Sequence, residues 1–257
     1  KGHFGYAAWD KSPENQYTLF PDYFWTWGEY DAKGLSSNNA NAIPSKKIIV
    51  GGNLWLNHCM NSARIQTGSA GTYAGFEKII LVTLQYNEEI NSDIIEQMIN
   101  SPESWLWMIR LHRQMLDQLS IFENKFKTVQ KRNIDVRQAT ETPLYEIFKA
   151  ATCHLTWFST CALEALVFGV PTVLLHPTGK LIFNDFVKSG VMRYVKRTQD
   201  LLKEIYACET IPREKCISAA SNIFAPQHKT RAAIRFIVET AKTTSKESPS
   251  IVDPPSP

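Results

Sequence analysis

The 257 residues, 44% apolar and 21% charged, suffice for one or two hydrophobic cores and have the balance of a soluble globular protein. A net charge of +3 spread over scattered lysines and arginines excludes the dense basic stripe of a nucleic-acid binder. The longest apolar runs, residues 163–175 and 78–84, fall short of the roughly 20 residues that a membrane-spanning helix needs.

In chain order, residues 1–45 open on the aromatic-rich stretch "GHFGYAAWDKSPENQYTLFPDYFWTWGEYD". It reads as the end of a preceding domain and an interdomain linker, as if from the middle of a longer protein. No charged-then-apolar start announces a signal segment. Short β-branched or apolar runs follow: "KKIIV" (46–50), "KIILVTL" (78–84), "SWLWMIRL" (104–111), "NIDVR" (133–137), "CHLTWF" (153–158), "PTVLLH" (171–176) and "VMRYVK" (191–196). Most are continuously apolar, the pattern of parallel strands covered on both faces. Helical stretches separate them. In "TPLYEIFKAA" Thr142 is a candidate N-cap before Pro143, and "STCALEALVFG" ends at Gly169 before Pro171.

Strand, helix, strand repeated about six times predicts an α/β fold over residues 46–206, doubly wound around a mostly parallel, Rossmann-like sheet. Residues 207–242 read as C-terminal helices broken at Pro226, and the polar, Pro-rich 243–257 as a disordered tail. Five cysteines (Cys59, Cys153, Cys161, Cys208, Cys216) without CxxC or metal-type spacing read as reduced thiols of a cytoplasmic protein.

In a doubly wound sheet, ligands sit beyond the carboxyl ends of the strands. Three such ends carry polar groups that a core would not request: Gly51, Gly52 and Asn53 after the first strand, Arg110 and His112 after the third, and "STCALE" after the fifth. Glycines let a backbone approach a ligand, and the N–H groups that start a helix favour an anion. Ser159 and Thr160 add hydroxyls there. Glu164 lies four residues after Thr160, one helical turn, so a phosphate and a ribose could share the cleft. Each group also has a plainer reading. The hydroxyls could cap the helix, Glu164 could face solvent, His112 could be a satisfied structural histidine, and the glycines could only turn the chain.

"STCALEALVFGVPTVLL" resembles the donor-binding stretch of GT-B glycosyltransferases, where a Ser/Thr pair and an E-A-L-x-x-G-x-P-x-V run follow a strand of the C-terminal Rossmann-like domain. "FPDYFWTWGEYD" is similar to the segment joining the two domains of bacterial capsule and lipopolysaccharide transferases. "FNDFVKSGVMRYVKRTQDLLKEI" is similar to their following region. A strand ending in His and a later Ser/Thr pair resembles the motifs that hold cytidine monophosphate in sialyl- and Kdo-transferases. Here, however, His112 is followed by Arg113, and the literal pair His176-Pro177 comes after the Ser/Thr pair.

The resemblance implies transfer of a sugar from a CMP- or UDP-sugar donor to a glycan acceptor of the bacterial surface. The donor nucleotide would contact Gly51, Gly52, Asn53, Arg110, His112, Ser159, Thr160 and Glu164, with base recognition near "ATETPL" (139–144). It implies no cofactor and no metal, since no DxD pair stands at a strand end. An acceptor domain elsewhere would supply the catalytic base. The expected place is the cytoplasm, at the inner membrane through a larger protein or partner. Rival readings are a UDP-sugar 2-epimerase-like enzyme and a non-catalytic nucleotide-sugar-binding or scaffold module.

Overall fold

The computed structural model describes residues 23–37, 45–60, 73, 75–129 and 133–247. Contacts group the chain into two compact units, Lys1–Asn57 with Asn222–Pro257, and His58–Ser221. The sequence reading drew its borders after residues 45 and 206 instead.

In the first unit, β1 (Phe24–Thr26) and β2 (Ile48–Val50) form a two-stranded parallel sheet, with α1 (Glu29–Ser37) between them; α2 (Leu54–Met60) begins after β2, and the border between the units falls within it, after Asn57. "KKIIV" was expected to open the large sheet. It pairs with Phe24–Thr26 instead, because β2 is three half-buried residues long and its partner is set by a distant segment. The turn after β2 is tight. Gly52 sits at φ +83°, Trp25 Nε1 donates to its carbonyl at 2.7 Å, and a Cβ on Gly51 would lie 2.1 Å from the Trp25 ring. The closing helix Gln227–Glu247 belongs to this unit, and Asn57 Nδ2 donates to Thr230 Oγ1 at 2.9 Å. The helical run breaks between Ser221 and Gln227, around Pro226, as the sequence indicates. The helix continues through Glu247, past the point where a tail was expected. Residues 248–257 lie outside the described residues, as do 1–22.

The second unit is a doubly wound α/β domain. β3 (Lys78–Thr83) leads through α3 (Ser92–Asn100) to β4 (Trp105–Arg110), then a 3-10 turn (Arg113–Gln118) runs into α4 (Leu119–Lys127). β5 (Ile134–Asp135), α5 (Arg137–Glu141) and α6 (Leu144–Ala150) precede β6 (Cys153–Thr156). α7 (Cys161–Val167), β7 (Thr172–Leu174), α8 (Pro177–Ile182), α9 (Asn184–Lys188) and β8 (Met192–Tyr194) follow, closed by α10 (Leu201–Cys208) and α11 (Arg213–Ser221). All six strands are parallel, in the order β5-β4-β3-β6-β7-β8.

The apolar runs form central strands because both faces are covered: every residue of β3 and β6 is buried. Ile80, Val82, Trp107, Ile109, Leu155 and Val173 share one core with Ile94, Met98, Phe122, Phe126, Leu201 and Ile205 from α3, α4 and α10. His154, one residue before Leu155, turns to the other face and meets the Phe148 ring of α6 edge-on at 5.4 Å. "NIDVR" shrinks to a two-residue edge strand, as Val136 already has helical angles and Arg137 begins α5. Thr142, the candidate N-cap, is not the cap of α6, whose cap position is Pro143; it closes α5 instead, its N–H donating to Gln138 O at 2.9 Å. Among the described residues, no helix is long and apolar enough to cross a membrane.

Candidate functional site

Strand order reverses between β3 and β6, the two neighbours at the centre of the sheet from which the chain winds outward in both directions. A crevice opens beyond the carboxyl ends of such strands, because the loops that follow them diverge. Register aligns Arg110 with Thr83 and Thr83 with Thr156 at those ends. The β6–α7 loop carrying Ser159 and Thr160 therefore leaves the sheet beside the point of reversal.

Ser159 Oγ accepts the Cys161 N–H at 3.2 Å, so this hydroxyl does steady the start of α7. Thr160 occupies the cap position with helical angles and no side-chain capping bond, so capping does not account for its hydroxyl. Both are half-buried. The helix begins at Cys161 and ends at Val167, inside the expected stretch "STCALEALVFG". Its buried stripe is Ala162, Leu163, Ala165 and Leu166, which leaves Glu164 half-buried on the rim.

Glu164 is held from α6. The Tyr145 hydroxyl donates to Glu164 Oε1 at 2.7 Å. The Tyr145 ring is stacked near Phe168 at 5.4 Å and near Phe148 at 6.5 Å, and those two rings lie 5.7 Å apart. Burial, then the charge of Glu164, push the phenol's pKa far above its usual range, so it stays protonated and donates. Burial also lifts the Cys161 thiol to about 11, with Glu164 adding to the effect, which keeps it from acting as a thiolate near neutral pH.

The structure gives Arg110 a local task. Its Nη1 donates to the carbonyls of Ala139 at 2.7 Å and Thr142 at 2.5 Å, and the Leu111 N–H donates to Thr140 Oγ1 at 3.2 Å. The end of β4 thereby fixes the segment 139–142, beside which lies an open cavity of about 460 Å³ lined in part by Asp135, Gln138, Thr142 and Glu146. His112 caps the following 3-10 turn, Nδ1 accepting the Gln114 N–H at 3.3 Å. A neutral ring that accepts at Nδ1 carries its proton on Nε2, which is thus a donor. His176 repeats the device after β7, accepting the Thr178 N–H at 3.1 Å.

Gly51, Gly52 and Asn53 belong to the other unit, and local contacts account for them. The glycines make the turn against Trp25, and Asn53 Oδ1 accepts the Leu56 N–H at 3.0 Å to start α2. Sequence reasoning missed Tyr145, while Thr140 lies within the 139–144 segment that it named. Tyr145 offered one signal, a phenol on the buried stripe of a short helix, where the hydroxyl must find a partner.

No protein-family model matches the sequence, and no significant relative is found among curated proteins. Solved structures do share the fold. The glycotransferase of kitacinnamycin is 17% identical over 86% of this chain and 55% of its own, with a TM-score of 0.59. UDP-GlcNAc 2-epimerase from Neisseria meningitidis, bound to UDP-GlcNAc, is 17% identical over 85% of this chain and 62% of its own, TM-score 0.59. The wall teichoic acid polymerase TagF is 14% identical over 89% and 59%, TM-score 0.56. The chain thus shares the fold of these three solved structures, and it spans between 55% and 62% of their length.

Proposed function

We propose that this chain is the donor-binding part of a GT-B glycosyltransferase that moves a sugar from a nucleotide-sugar to a bacterial surface-polysaccharide acceptor. The observation that carries the reading is the placement of Ser159, Thr160 and the Tyr145-bound Glu164 together on the loop and helix that leave the sheet at its point of reversal. In this reading the hydroxyls and the His112 Nε2 proton face the donor phosphate. Glu164 accepts from the ribose, and the base lies toward the 139–144 segment that Arg110 anchors.

As the glycosidic bond breaks, negative charge grows on the leaving phosphate, and fixed donors lower the barrier where they meet that charge. The reading needs no metal, so a chelator is expected to leave transfer unchanged. It assigns acceptor binding and the catalytic base to a further domain, for which the longer solved chains have room.

Calorimetric titration of the chain with CMP, UDP and GDP tests the reading. One nucleotide is expected to bind, and Ser159→Ala with Thr160→Ala to weaken it about 10- to 30-fold, the loss of two ordinary hydrogen bonds. Absence of binding to all three overturns it. Given a UDP-sugar, release of UDP supports transfer, whereas formation of an epimeric sugar nucleotide favours the 2-epimerase reading.

A further inference from the structure

We propose that the protein carries a separate anion site, sized for a single phosphate group, in a cavity on the face of the sheet opposite α6. Trp157 shares the core of Leu155, Val173, Ile94 and Leu201, whereas α6, which meets Glu164 through Tyr145, packs against His154 on the other face. The cavity has a volume of about 170 Å³ and is lined by Asn91, Trp157, Tyr194, Lys196, Thr198 and Leu201, among others. It is close to the roughly 150 Å³ that holds one benzene and well below the roughly 300 Å³ at which pockets for larger ligands begin, so a nucleotide is too big for it.

The lining selects an anion. It offers an ammonium, an indole N–H and hydroxyls, and it contains no carboxylate. The acids closest in sequence are engaged elsewhere: Asp200 accepts twice from Arg197, at 2.9 and 3.1 Å, and Asp93 accepts the Ser92 hydroxyl at 3.4 Å. Two helices start at the cavity. Asn91 caps α3, its Oδ1 accepting the Ile94 N–H at 2.9 Å, and Thr198 opens the 3-10 turn that runs into α10 at Leu201. Their positive ends favour negative charge.

Trp157 supplies the observation that does not depend on the helices. It is only 7% exposed, yet among the described residues its indole N–H has no acceptor. The fully enclosed indole nitrogen without a partner is that of Trp105, so the Trp157 N–H reaches open space, and its ring borders the cavity. A donor so nearly buried is costly unless something accepts from it. The Thr198 hydroxyl and the Lys196 ammonium also have no partner among the described residues. A phosphate group here accepts from all three, whether it is the free ion or the end of a small monoester.

The test follows the indole N–H resonances of the whole ¹⁵N-labelled chain during separate titrations with inorganic phosphate and methyl phosphate, chloride keeping the ionic strength constant. Loss of one resonance in Trp157→Phe assigns the signal. That signal is expected to shift saturably, with a dissociation constant of about 1 mM or tighter. Lys196→Met and Thr198→Val, at unchanged melting temperature, should each weaken binding about tenfold. Ser159→Ala with Thr160→Ala should leave it unaltered, which keeps the result independent of the donor reading. Tighter binding of methyl phosphate makes the occupant a phosphorylated small molecule, and tighter binding of phosphate makes it the free ion. A shift that does not saturate, or that ignores Lys196→Met, overturns the site. A shift abolished by the Ser159 and Thr160 changes places the ion in the donor crevice and overturns it equally.

Discussion

The two ends of the six-stranded sheet handle polar groups in opposite ways. At the amino end Lys78, the first residue of β3, is almost fully buried, its ammonium 2.6 Å from Glu77 Oε1 and 2.5 Å from Glu209 Oε1. The same ammonium lies 4.9 Å from the ring centres of both Trp105 and Tyr206. At the carboxyl end Ser159, Thr160, Glu164 and His112 are half-buried beside the point of strand reversal, where Ser159 Oγ accepts the Cys161 N–H, Glu164 Oε1 the Tyr145 hydroxyl and His112 Nδ1 the Gln114 N–H. One end closes its charge inside the chain, which serves stability. The other gathers polar groups at the rim of the sheet, where the proposed donor would meet them.

If that division holds, damage at the amino end lowers stability without touching nucleotide affinity. Lys78→Ala removes the stem between two rings along with the charge, and is expected to cost about 2–4 kcal/mol. Urea unfolding measures that loss, and titration of the folded variant should return the parent's affinity. A fall in affinity at temperatures where the variant is fully folded would break the comparison.

Midway between the ends, His154 sharpens it through pH. Its Nε2 lies 2.9 Å from Thr83 Oγ1 and its Nδ1 3.0 Å from Thr172 Oγ1, a closed tie across β3, β6 and β7 that a neutral ring satisfies. Burial lowers its pKa to about 3, against an ordinary value of 6.5 in the unfolded chain. The unfolded state therefore takes up the proton first. This contribution to stability is whole above about pH 6.5 and is lost progressively as the pH falls toward 3. Between pH 7 and 5 the loss amounts to about 2 kcal/mol for this one group. His154→Gln should flatten the urea-unfolding profile over that interval by the same amount. An unchanged slope would show that the ring is not held neutral.

Most of the second unit was legible in the sequence because its signal is local. A strand buried on both faces is apolar throughout, as "KIILVT" is, and Ser159, Thr160 and Glu164 share one strand–loop–helix stretch. What escaped depends on partners far along the chain. "KKIIV" looks like the other strands, yet its pairing was decided by Phe24–Thr26, and the glycines after it answer to Trp25. Arg110 was read only as a phosphate ligand, and its tie through Nη1 to the carbonyls of Ala139 and Thr142, 29 and 32 residues on, has no local signal. Tyr145 fits the apolar period of its helix, and nothing nearby announces a bond to a carboxylate 19 residues away.

The smallest expected effect lies on α7 itself, whose two ends repeat the larger contrast within one helix. Gly169 follows the helix at φ +71°, where a side chain is strained by about 1–2 kcal/mol. There the Gly169 N–H donates to Leu166 O at 3.0 Å and the Val170 N–H to Ala165 O at 3.0 Å, closing the last turn. A Cβ would also sit 2.1 Å from Arg213 Cγ, so that side chain must turn from its root and give up its present packing. Gly169→Ala should therefore cost roughly 1–2 kcal/mol in urea unfolding and leave nucleotide affinity unchanged. The glycine belongs to the same E-A-L-x-x-G-x-P run as Glu164, so the result separates the parts of that run: a folding role at its glycine, a binding role at its carboxylate. A large loss of affinity in a folded Gly169→Ala protein would mean that the orientation of α7, not the identity of its first-turn side chains, sets the site.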